Sequence, residues 1–405
     1  MFYFFAGILI LLSFRSFRGG LEYLRFFRSE LAKAASNFTP FVTVVAPCRG
    51  LDDGLKDNLL ALFEQDYPEY EILFVVDDRN DAAVPIIEEV SRKAARAETR
   101  PVGSVPYTQL VVADKAVAAS QKVENLREAL LHADDRSEAF VFVDSDARPS
   151  KYWLNSLVAP LQDKTVGAAS GYRWFISDKP SFASEMRSAW NASIASALGP
   201  NTKTNFCWGG SMAMRRDVFE KIEIRDKWRG TLSDDFAVTR AVNEADLKIV
   251  FVPQALTASV EDCSFSELLE FTTRQMKITR VYAPNLWLLS FVGSGLFNIV
   301  MILAFLIVIF SPTNDLPVFA AIATLVLVSI FSTGKAWLRL KAVKLVLTQY
   351  KTELSHQFWT QNTLWLLTPA LFFYNSFAAW RSRRLKWRGI TYELKSPTET
   401  VIITD

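Results

Sequence analysis

Residues 140–147 read FVFVDSDA, an apolar run that leads directly into two aspartates one residue apart. A short apolar run of this kind is typical of a buried strand. A carboxylate at the end of such a strand is costly unless it is solvated, paired or bound to a cation. Asp144 and Asp146 are therefore candidate site residues. The competing interpretation is a solvated turn, in which Asp is common.

Similar apolar runs alternate with helical spacing on the N-terminal side of this stretch. The predicted strands are 41–46, 71–76, 110–112 and 139–143, and the predicted helices are 55–64, 82–97 and 121–131. This alternation predicts an α/β fold with a Rossmann-like, mixed or mainly parallel sheet and flanking helices. Ligands of such sheets bind outside the carboxyl ends of the strands. Polar residues follow three of these ends, at 47–50, at 77–78 and at 144–146.

The Asp-x-Asp spacing suits a hard divalent cation. Carboxylate oxygens are preferred by Mg²⁺ or Mn²⁺, and such ions usually bridge to substrate phosphates. The three cysteines and two histidines show no metal-binding spacing. The sequence therefore predicts Mg²⁺ or Mn²⁺ at Asp144 and Asp146 as the only cofactor.

The overall charge gives no reason to expect a nucleic acid partner. Lys and Arg number 45 and Asp and Glu 43, so the net charge is +2, and no electrostatic footprint for nucleic acid follows. The apolar residues, 50% of the chain, are concentrated towards its two ends. This distribution predicts a membrane protein with a water-exposed middle.

Three uncharged segments are candidates for membrane contact near the chain ends. Residues 1–14 are short for a span, and a signal peptide is disfavoured because Arg15 and Arg18 follow the apolar run. They predict a short anchor, with a helix lying on the membrane or the protein as the alternative. Residues 284–310 and 316–334 are each long enough to cross a bilayer. They predict a helical hairpin joined by the residues SPTND.

The C-terminal region contains a third apolar segment, 358–380, after the two hairpin segments, and this segment leaves the topology open. Basic residues favour the cytoplasmic side, and they follow the first anchor, the hairpin and this segment alike. A single span at 358–380 is inconsistent with that pattern. The segment is either re-entrant or interfacial, bent near Pro369, or the charge rule fails here. We expect an anchor at 1–37, a cytoplasmic catalytic domain at 38–283 and a membrane region with a basic tail at 284–405.

Five stretches occur together in an order that resembles a known family. They are VVAPCRG at 44–50, LFEQDYPEYEILFVVDD at 62–78, FVFVDSDA at 140–147, GGSMAMRRDVF at 209–219 and LSDDFAVTRAV at 232–242. In this order they resemble the family 2 glycosyltransferases of GT-A fold, above all ceramide glucosyltransferases and their bacterial membrane-bound relatives. The resemblance covers about residues 40–283.

The resemblance implies roles for the residues that would bind a nucleotide-sugar. Asp78 is similar to the family's first Asp, which contacts the nucleotide base. Asp144 and Asp146 match the motif that binds the metal and the diphosphate. Lys122 resembles a lysine found near the nucleotide in ceramide-type relatives.

The resemblance also implies a catalytic base and a weakened fourth motif. Asp234 and Asp235 stand where the family has its acidic pair, and Asp235 is the expected base. The family's (Q/R)xxRW motif departs here, since the best fit starts at Arg274 with Lys277 in place of Arg. Arg274 and Lys277 are expected to offset diphosphate charge, or else to form a solvated basic helix face near the membrane.

The function implied is an inverting transfer of a hexose from a nucleotide-sugar, such as UDP-glucose, to a lipid hydroxyl. A lipid acceptor is favoured because the membrane segments follow the fourth motif almost without a linker. The expected location is a bacterial inner membrane with the catalytic domain in the cytoplasm. The alternatives are a polyprenyl-phosphate glycosyltransferase, a polysaccharide synthase and a non-enzymatic membrane protein that binds nucleotide-sugars.

Overall fold

The computed structural model describes residues 1–96, 105–311 and 316–403. Its strands are β1 (Val42–Pro47), β2 (Tyr70–Val76), β3 (Tyr107–Val112), β4 (Ala139–Val143), β5 (Val166–Ile176), β6 (Ser211–Arg215), β7 (Lys248–Val260), β8 (Arg384–Trp387), β9 (Ile390–Ser396) and β10 (Glu399–Ile403). Its α-helices are α1 (Phe2–Leu31), α2 (Leu55–Phe63), α3 (Val84–Ala95), α4 (Gln121–Ala129), α5 (Trp153–Val158), α6 (Phe182–Ala195), α7 (Arg216–Lys221), α8 (Ile224–Lys227), α9 (Asp234–Glu244), α10 (Phe265–Tyr282), α11 (Pro284–Phe310), α12 (Leu316–Val346), α13 (Lys351–Thr363) and α14 (Thr368–Arg381).

The chain forms two compact units. We call Glu30–Asp178, Ala197–Asp262 and Arg383–Asp405 the sheet unit, and Met1–Ser29, Lys179–Ser196 and Cys263–Ser382 the helical unit. These bounds differ from the predicted segmentation. Residues 179–196 and 263–283 group with the apolar helices, and residues 383–405 group with the sheet.

The sheet unit is built on a mixed, mainly parallel sheet. Within the described residues this sheet has seven strands, in the order β3-β2-β1-β4-β6-β5-β7. Strands β1, β2, β3 and β4 pair in parallel, as do β5 and β7, while β6 runs antiparallel to its two neighbours. The predicted α/β fold class is confirmed.

The central strands are apolar because both faces of the sheet are covered. Every residue of β2 and β4 is buried, as expected for parallel strands between helical layers. The aromatic side chains Phe142, Phe219 and Trp228 pack together on one face, with ring centroids 5.5–6.3 Å apart. This packing fixes the strand ends from which the polar loops leave.

The last residues of the chain form a second sheet in the sheet unit. It has three antiparallel strands, in the order β10-β9-β8, among the residues described. From the sequence this segment was predicted only as a basic tail. Short strands with alternating burial, such as β9, give a weak signal, and the sheet was therefore not predicted.

Three helices of the described chain are long and apolar enough to cross a membrane. They are α1, α11 and α12, with mean hydropathy of 1.4, 2.6 and 2.2. The predicted hairpin segments are thus helical, although residues 312–315 of its connection lie outside the described residues. The chain is a membrane protein with candidate spans towards both ends.

The third apolar segment is not among these candidate spans. It is broken into α13 and α14 by a short 3₁₀ turn at Leu364–Leu366, and Pro369 lies in the first turn of α14. Proline is tolerated in a first helical turn because its missing N–H would be unpaired there. The break agrees with the predicted bend near Pro369.

Candidate active site

Polar loops converge at one edge of the large sheet. Because β1, β2 and β4 are parallel neighbours, their carboxyl ends reach the same edge. Strand β6 runs antiparallel to β4, and the loop that precedes it therefore reaches this edge too. The predicted meeting of Asp77-Asp78 with the Asp144–Asp146 loop follows from this order of strands.

Lys122 joins two of the predicted carboxylates. It lies in the first turn of α4, whose N-cap Ser120 accepts a hydrogen bond from the Val123 N–H. Its Nζ is 2.7 Å from Asp144 Oδ1 and 3.2 Å from Asp234 Oδ1. Burial disfavours the ammonium, but Asp144, Asp234 and the nearby Asp235 raise the pKa of Lys122 well above its usual value.

Asp144 stays ionised for the reciprocal reason. Burial acts to raise its pKa, but the attraction and hydrogen bond of Lys122, with smaller contributions from Arg173 and Arg388, hold the pKa of Asp144 below its ordinary value. The two arginines were not predicted as site residues. Both act on the same carboxylate from separate elements.

Asp146 has one paired and one unpaired oxygen. Arg173 Nη1, on β5, lies 3.2 Å from Asp146 Oδ2, whereas Asp146 Oδ1 is buried without a hydrogen-bond partner. Arg173 also lies over the ring of Trp208, 5.1 Å from its centroid. Its position inside a strand of buried residues is the sequence signal that was missed, because a lone arginine there needs a partner.

Asp234 and Asp235 begin helix α9. Acidic groups are favoured at a helix N-terminus, which provides a structural reason for their presence. Asp234 is 3% exposed, and burial, with Asp235 and Asp144, raises its pKa to about 6 against the attraction of Lys122.

Asp235 is more accessible than its neighbour. Its Oδ1 accepts hydrogen bonds from the Ser233 hydroxyl and from the Phe236 N–H. Among the described residues, Asp235 Oδ2 accepts no hydrogen bond. A carboxylate held through one oxygen and open at the other can take a proton from a bound hydroxyl.

Two glycines allow the carboxylates to approach the backbone. A Cβ at Gly209 would overlap the Asp234 carboxylate, and one at Gly210 would overlap the Trp208 ring and crowd Asp144 Oδ2. The backbone at this pair therefore lies against the site's own side chains.

The two aspartates after β2 have different surroundings. Asp77 is buried and pairs with Arg49 at 2.8 Å and Lys115 at 2.9 Å. Asp78 is exposed and accepts a hydrogen bond from the Asn80 N–H. This hydrogen bond is the main cause of the lowered pKa of Asp78. Asp78 is thus the accessible member of the pair, and its role at a nucleotide base stays a prediction.

Asp52 and Arg388 complete the cluster and were not predicted. Arg388 pairs with Asp52, whose other oxygen accepts the Ser145 hydroxyl at 2.5 Å. The two residues are 336 positions apart in the chain, so no local pattern connects them. The pair Arg388-Gly389 between short alternating segments is a hairpin signal that was available in the sequence.

Arg274 and Lys277 lie in α10 of the helical unit. Arg274 lies over the Phe271 ring, 5.4 Å from its centroid. Lys277 is half-buried, and burial lowers its pKa. Their predicted part in binding a diphosphate stays a prediction.

A divalent cation fits the residues of the sheet unit. Asp146 Oδ1 and Asp234 Oδ2 are buried acceptors without a partner, and buried polar groups are rarely left unpaired. Among the described residues, no group of three or more metal-binding side chains is arranged to hold an ion. Mg²⁺ and Mn²⁺ commonly take several of their ligands from water and substrate phosphates.

Comparison with known proteins identifies the family. The sequence model of the protein family described as Glycosyl transferase family 21 matches residues 9–400 of this chain. A ceramide glucosyltransferase of Candida albicans is 35% identical over 123 residues, 30% of this chain and 22% of that protein. One from Gibberella zeae is 26% identical over 166 residues, 38% of this chain and 31% of that protein. The chain thus matches less than a third of the length of either relative.

A solved structure shows a looser likeness. The mannosyltransferase of Pyrobaculum calidifontis, solved in complex with GDP-Man and Mn²⁺, is 18% identical and covers 93% of this chain and 98% of its own, with a TM-score of 0.46. A likeness at that level does not bear on function. The family match over residues 9–400 does bear on it. Together with the Candida and Gibberella relatives, this match confirms the resemblance to ceramide glucosyltransferases. This chain belongs to glycosyltransferase family 21.

Proposed function

We propose that this enzyme transfers a hexose from a nucleotide-sugar to the hydroxyl of a membrane lipid, with inversion at the anomeric carbon. UDP-glucose is the first candidate donor, and a ceramide or diacylglycerol is the candidate acceptor. The observation that carries the proposal is the cluster in which Lys122 joins Asp144 to Asp234 beside the unpaired oxygen of Asp146.

The carboxylates of this cluster exceed its cations. Asp52, Asp144, Asp146, Asp234 and Asp235 are accompanied by Lys122, Arg173 and Arg388 among the described residues. A site with excess negative charge would repel a diphosphate unless a cation joined it. We propose Mg²⁺ or Mn²⁺ at Asp144 and Asp146, where it would neutralise the charge that develops on the leaving diphosphate.

Lys122 and Arg173 are proposed to orient these carboxylates. Each forms a charge-assisted contact with one oxygen of Asp144 or Asp146 and leaves the other available. Such contacts fix a side chain more firmly than neutral hydrogen bonds do. We propose that Lys122 also attracts the diphosphate itself. Asp78 is a proposed contact with the nucleotide base.

Asp235 is proposed as the general base. The lipid hydroxyl oxygen attacks the anomeric carbon, the bond from that carbon to the phosphate oxygen breaks, and its electron pair leaves with the nucleoside diphosphate. The hydroxyl proton passes to Asp235 Oδ2. A single displacement inverts the anomeric carbon, and a positioned base is typically worth about 10²–10⁴-fold in rate.

The acceptor is proposed from the membrane character of the chain. Three candidate spans would hold the enzyme at a bilayer, where a lipid hydroxyl is concentrated and a soluble acceptor gains nothing. The names of the Candida and Gibberella relatives also favour a ceramide. We place the sheet unit in the cytoplasm, where nucleotide-sugars are made, and the enzyme in a bacterial inner membrane.

The test is lipid-dependent release of UDP by the full-length protein in detergent with Mn²⁺ or Mg²⁺. A panel of UDP-sugars would be crossed with ceramide, diacylglycerol and polyprenyl phosphate. Asp235→Asn should lower the rate of UDP release at least 100-fold. Asp246→Asn is the matched control, because Asp246 is exposed just beyond the other end of α9 and has a left-handed backbone that Asn tolerates. Release that depends on no lipid, or that survives Asp235→Asn, would refute the acceptor or the base.

A further inference from the structure

The C-terminal sheet packs against the elements that carry the candidate site. Tyr392 and Leu394 of β9 are buried, and the Tyr392 hydroxyl accepts the Gln121 N–H at 3.2 Å, at the start of α4. A Cβ at Gly230 would overlap the carbonyl oxygen of Thr398. The segment is thus an integral part of the sheet unit.

A tight turn places Arg388 at the tip of this sheet. Arg388 and Gly389 have φ values of 50° and 80°, and two successive residues with positive φ form the type I′ turn that suits a two-residue hairpin. Arg388 is one of three non-glycine residues with positive φ among those described. Such a backbone is strained for a long side chain.

The guanidinium of Arg388 lies at the metal-binding loop. Arg388 Nη1 donates to the Arg49 carbonyl oxygen at 3.2 Å, and Nη2 donates to Asp52. Asp52 in turn accepts the hydroxyl of Ser145, the residue between Asp144 and Asp146. One carboxylate therefore links the tip of the hairpin to the middle of the Asp-x-Asp motif.

The site's carboxylates act on this arginine electrostatically. Burial opposes its charge, yet Asp52, Asp146 and Asp144 together raise the pKa of Arg388. Its side chain is 37% exposed, so part of the guanidinium faces solvent. An arginine has five N–H donors in a planar fork that matches two phosphate oxygens.

We propose that Arg388 binds the diphosphate of the donor and that the C-terminal sheet positions it for this purpose. The inference rests on the proposed function and adds a binding residue to the same site. Asp52 orients the guanidinium by holding one nitrogen, and the exposed donors contact phosphate oxygens. Arg388, together with Lys122, then offsets negative charge on the leaving group. The alternative is a purely structural ion pair that fastens the tail.

Nucleotide binding separates these two roles. The full-length protein in detergent with Mn²⁺ would be titrated calorimetrically with UDP and with UMP, which share the base, ribose and first phosphate. Arg388→Gln should weaken UDP binding at least tenfold, an amount equal to about 1.4 kcal/mol, and should change UMP binding less than threefold. Arg388→Lys, which keeps the charge but loses the fork, should recover part of the preference for UDP.

Arg384→Gln is the matched control, because Arg384 is exposed on the same sheet and pairs with Glu393. It should bind UDP and UMP like the wild type. An unchanged UDP-to-UMP ratio in Arg388→Gln with a lower unfolding temperature would overturn the inference and assign Arg388 a structural role. If Arg388→Gln does not fold, Arg388→Asn takes its place, because Asn suits the positive φ of this turn; an unchanged UDP-to-UMP ratio in Arg388→Asn overturns the inference equally. A wild type that binds no UDP and releases none refutes the proposed function itself.

Discussion

Lys122 Nζ lies 2.7 Å from Asp144 Oδ1, and both side chains are largely withdrawn from solvent. The same ammonium is 3.2 Å from Asp234 Oδ1, so one cation compensates two carboxylates from different elements. Removing one partner of a buried pair is costly because the remaining charges lose their compensation. Lys122 is therefore the residue on which the electrostatic balance of the cluster depends most.

We expect Lys122→Gln to lower the free energy of unfolding by about 3 kcal/mol in the absence of divalent cations. The measurement is thermal unfolding of the purified protein in EDTA. Added Mn²⁺ should recover part of the loss, because a cation at Asp144 restores the missing positive charge. The recovery should exceed the stabilisation that Mn²⁺ gives the wild type.

Lys56→Gln provides the comparison. Lys56 forms an exposed pair with Glu89, and exposed pairs contribute about 0–1 kcal/mol. Its unfolding temperature should be close to that of the wild type. Equal unfolding temperatures for Lys122→Gln and Lys56→Gln would show that Lys122 does not compensate buried charge.

Asp234 should give the protein a specific dependence on pH. Because the pKa of Asp234 is raised from 3.8 to about 6, the folded protein binds this proton more tightly than the unfolded chain does. The resulting stability is fully present below about pH 4 and is lost as the pH rises through about 6. A shift of this size corresponds to roughly 3 kcal/mol.

Asp234→Asn should remove this dependence. The free energy of unfolding of the variant minus that of the wild type should be larger at pH 7.5 than at pH 4, by up to roughly 3 kcal/mol. The measurement is the unfolding temperature across this range in EDTA, with Asp246→Asn as an exposed comparison. Parallel pH profiles for Asp234→Asn and the wild type would contradict the raised pKa.

The parts of the fold that were predictable are those in which one local pattern determines the structure. The predicted strand 139–143 has the bounds of β4, and 71–76 differs from β2 by one residue. Both are apolar, β-branched or aromatic runs that end at Asp, and burial on two faces leaves few other arrangements. The predicted segment 284–310 has the bounds of α11, because its uncharged run is a local pattern as well.

Local patterns predicted the site only where its residues follow a strand directly, as Asp144 and Asp146 do after β4. Asp234 and Lys122 follow no predicted strand, and their roles were implied by the family resemblance. In the structure Lys122 contacts Asp144 and Asp234, and Arg173 contacts Asp146.

The position of Arg388 in the site depends on its ion pair with Asp52, which is distant in the chain. No local sequence pattern predicts such a pair. Asp52 lies in a loop, where acidic residues are common and carry little information.

Gly209→Ala tests whether the crowded backbone matters for chemistry. The new Cβ would overlap the Asp234 carboxylate and approach Lys122 Nζ, so both side chains must shift. Overpacking of this kind typically costs about 1–3 kcal/mol. UDP release should fall at least tenfold, since the acidic pair would no longer be held in place. Unfolding temperature and lipid-dependent UDP release are the two measurements.

Gly199→Ala is the control for this substitution. A Cβ at Gly199 has no heavy atom within 4 Å, so the change should leave stability within about 0.5 kcal/mol. UDP release by this variant should match the wild type. Full activity in Gly209→Ala would mean that Asp234 can move without consequence.

Asp146→Asn and metal removal should have the same effect on nucleotide binding. We propose that the unpaired Asp146 Oδ1 is a metal contact, and UDP would then bind tightly only with the ion present. In the wild type with Mn²⁺, UDP at about 100 times its dissociation constant should stabilise the protein by about 2.7 kcal/mol. Most of this stabilisation should disappear in EDTA or in Asp146→Asn. Asp226→Asn, at an exposed carboxylate that pairs with Arg229, should retain it. UDP stabilisation that is equal with and without Mn²⁺ would exclude Asp146 as a metal ligand, and Arg173 would then be the cation that the donor meets at this carboxylate.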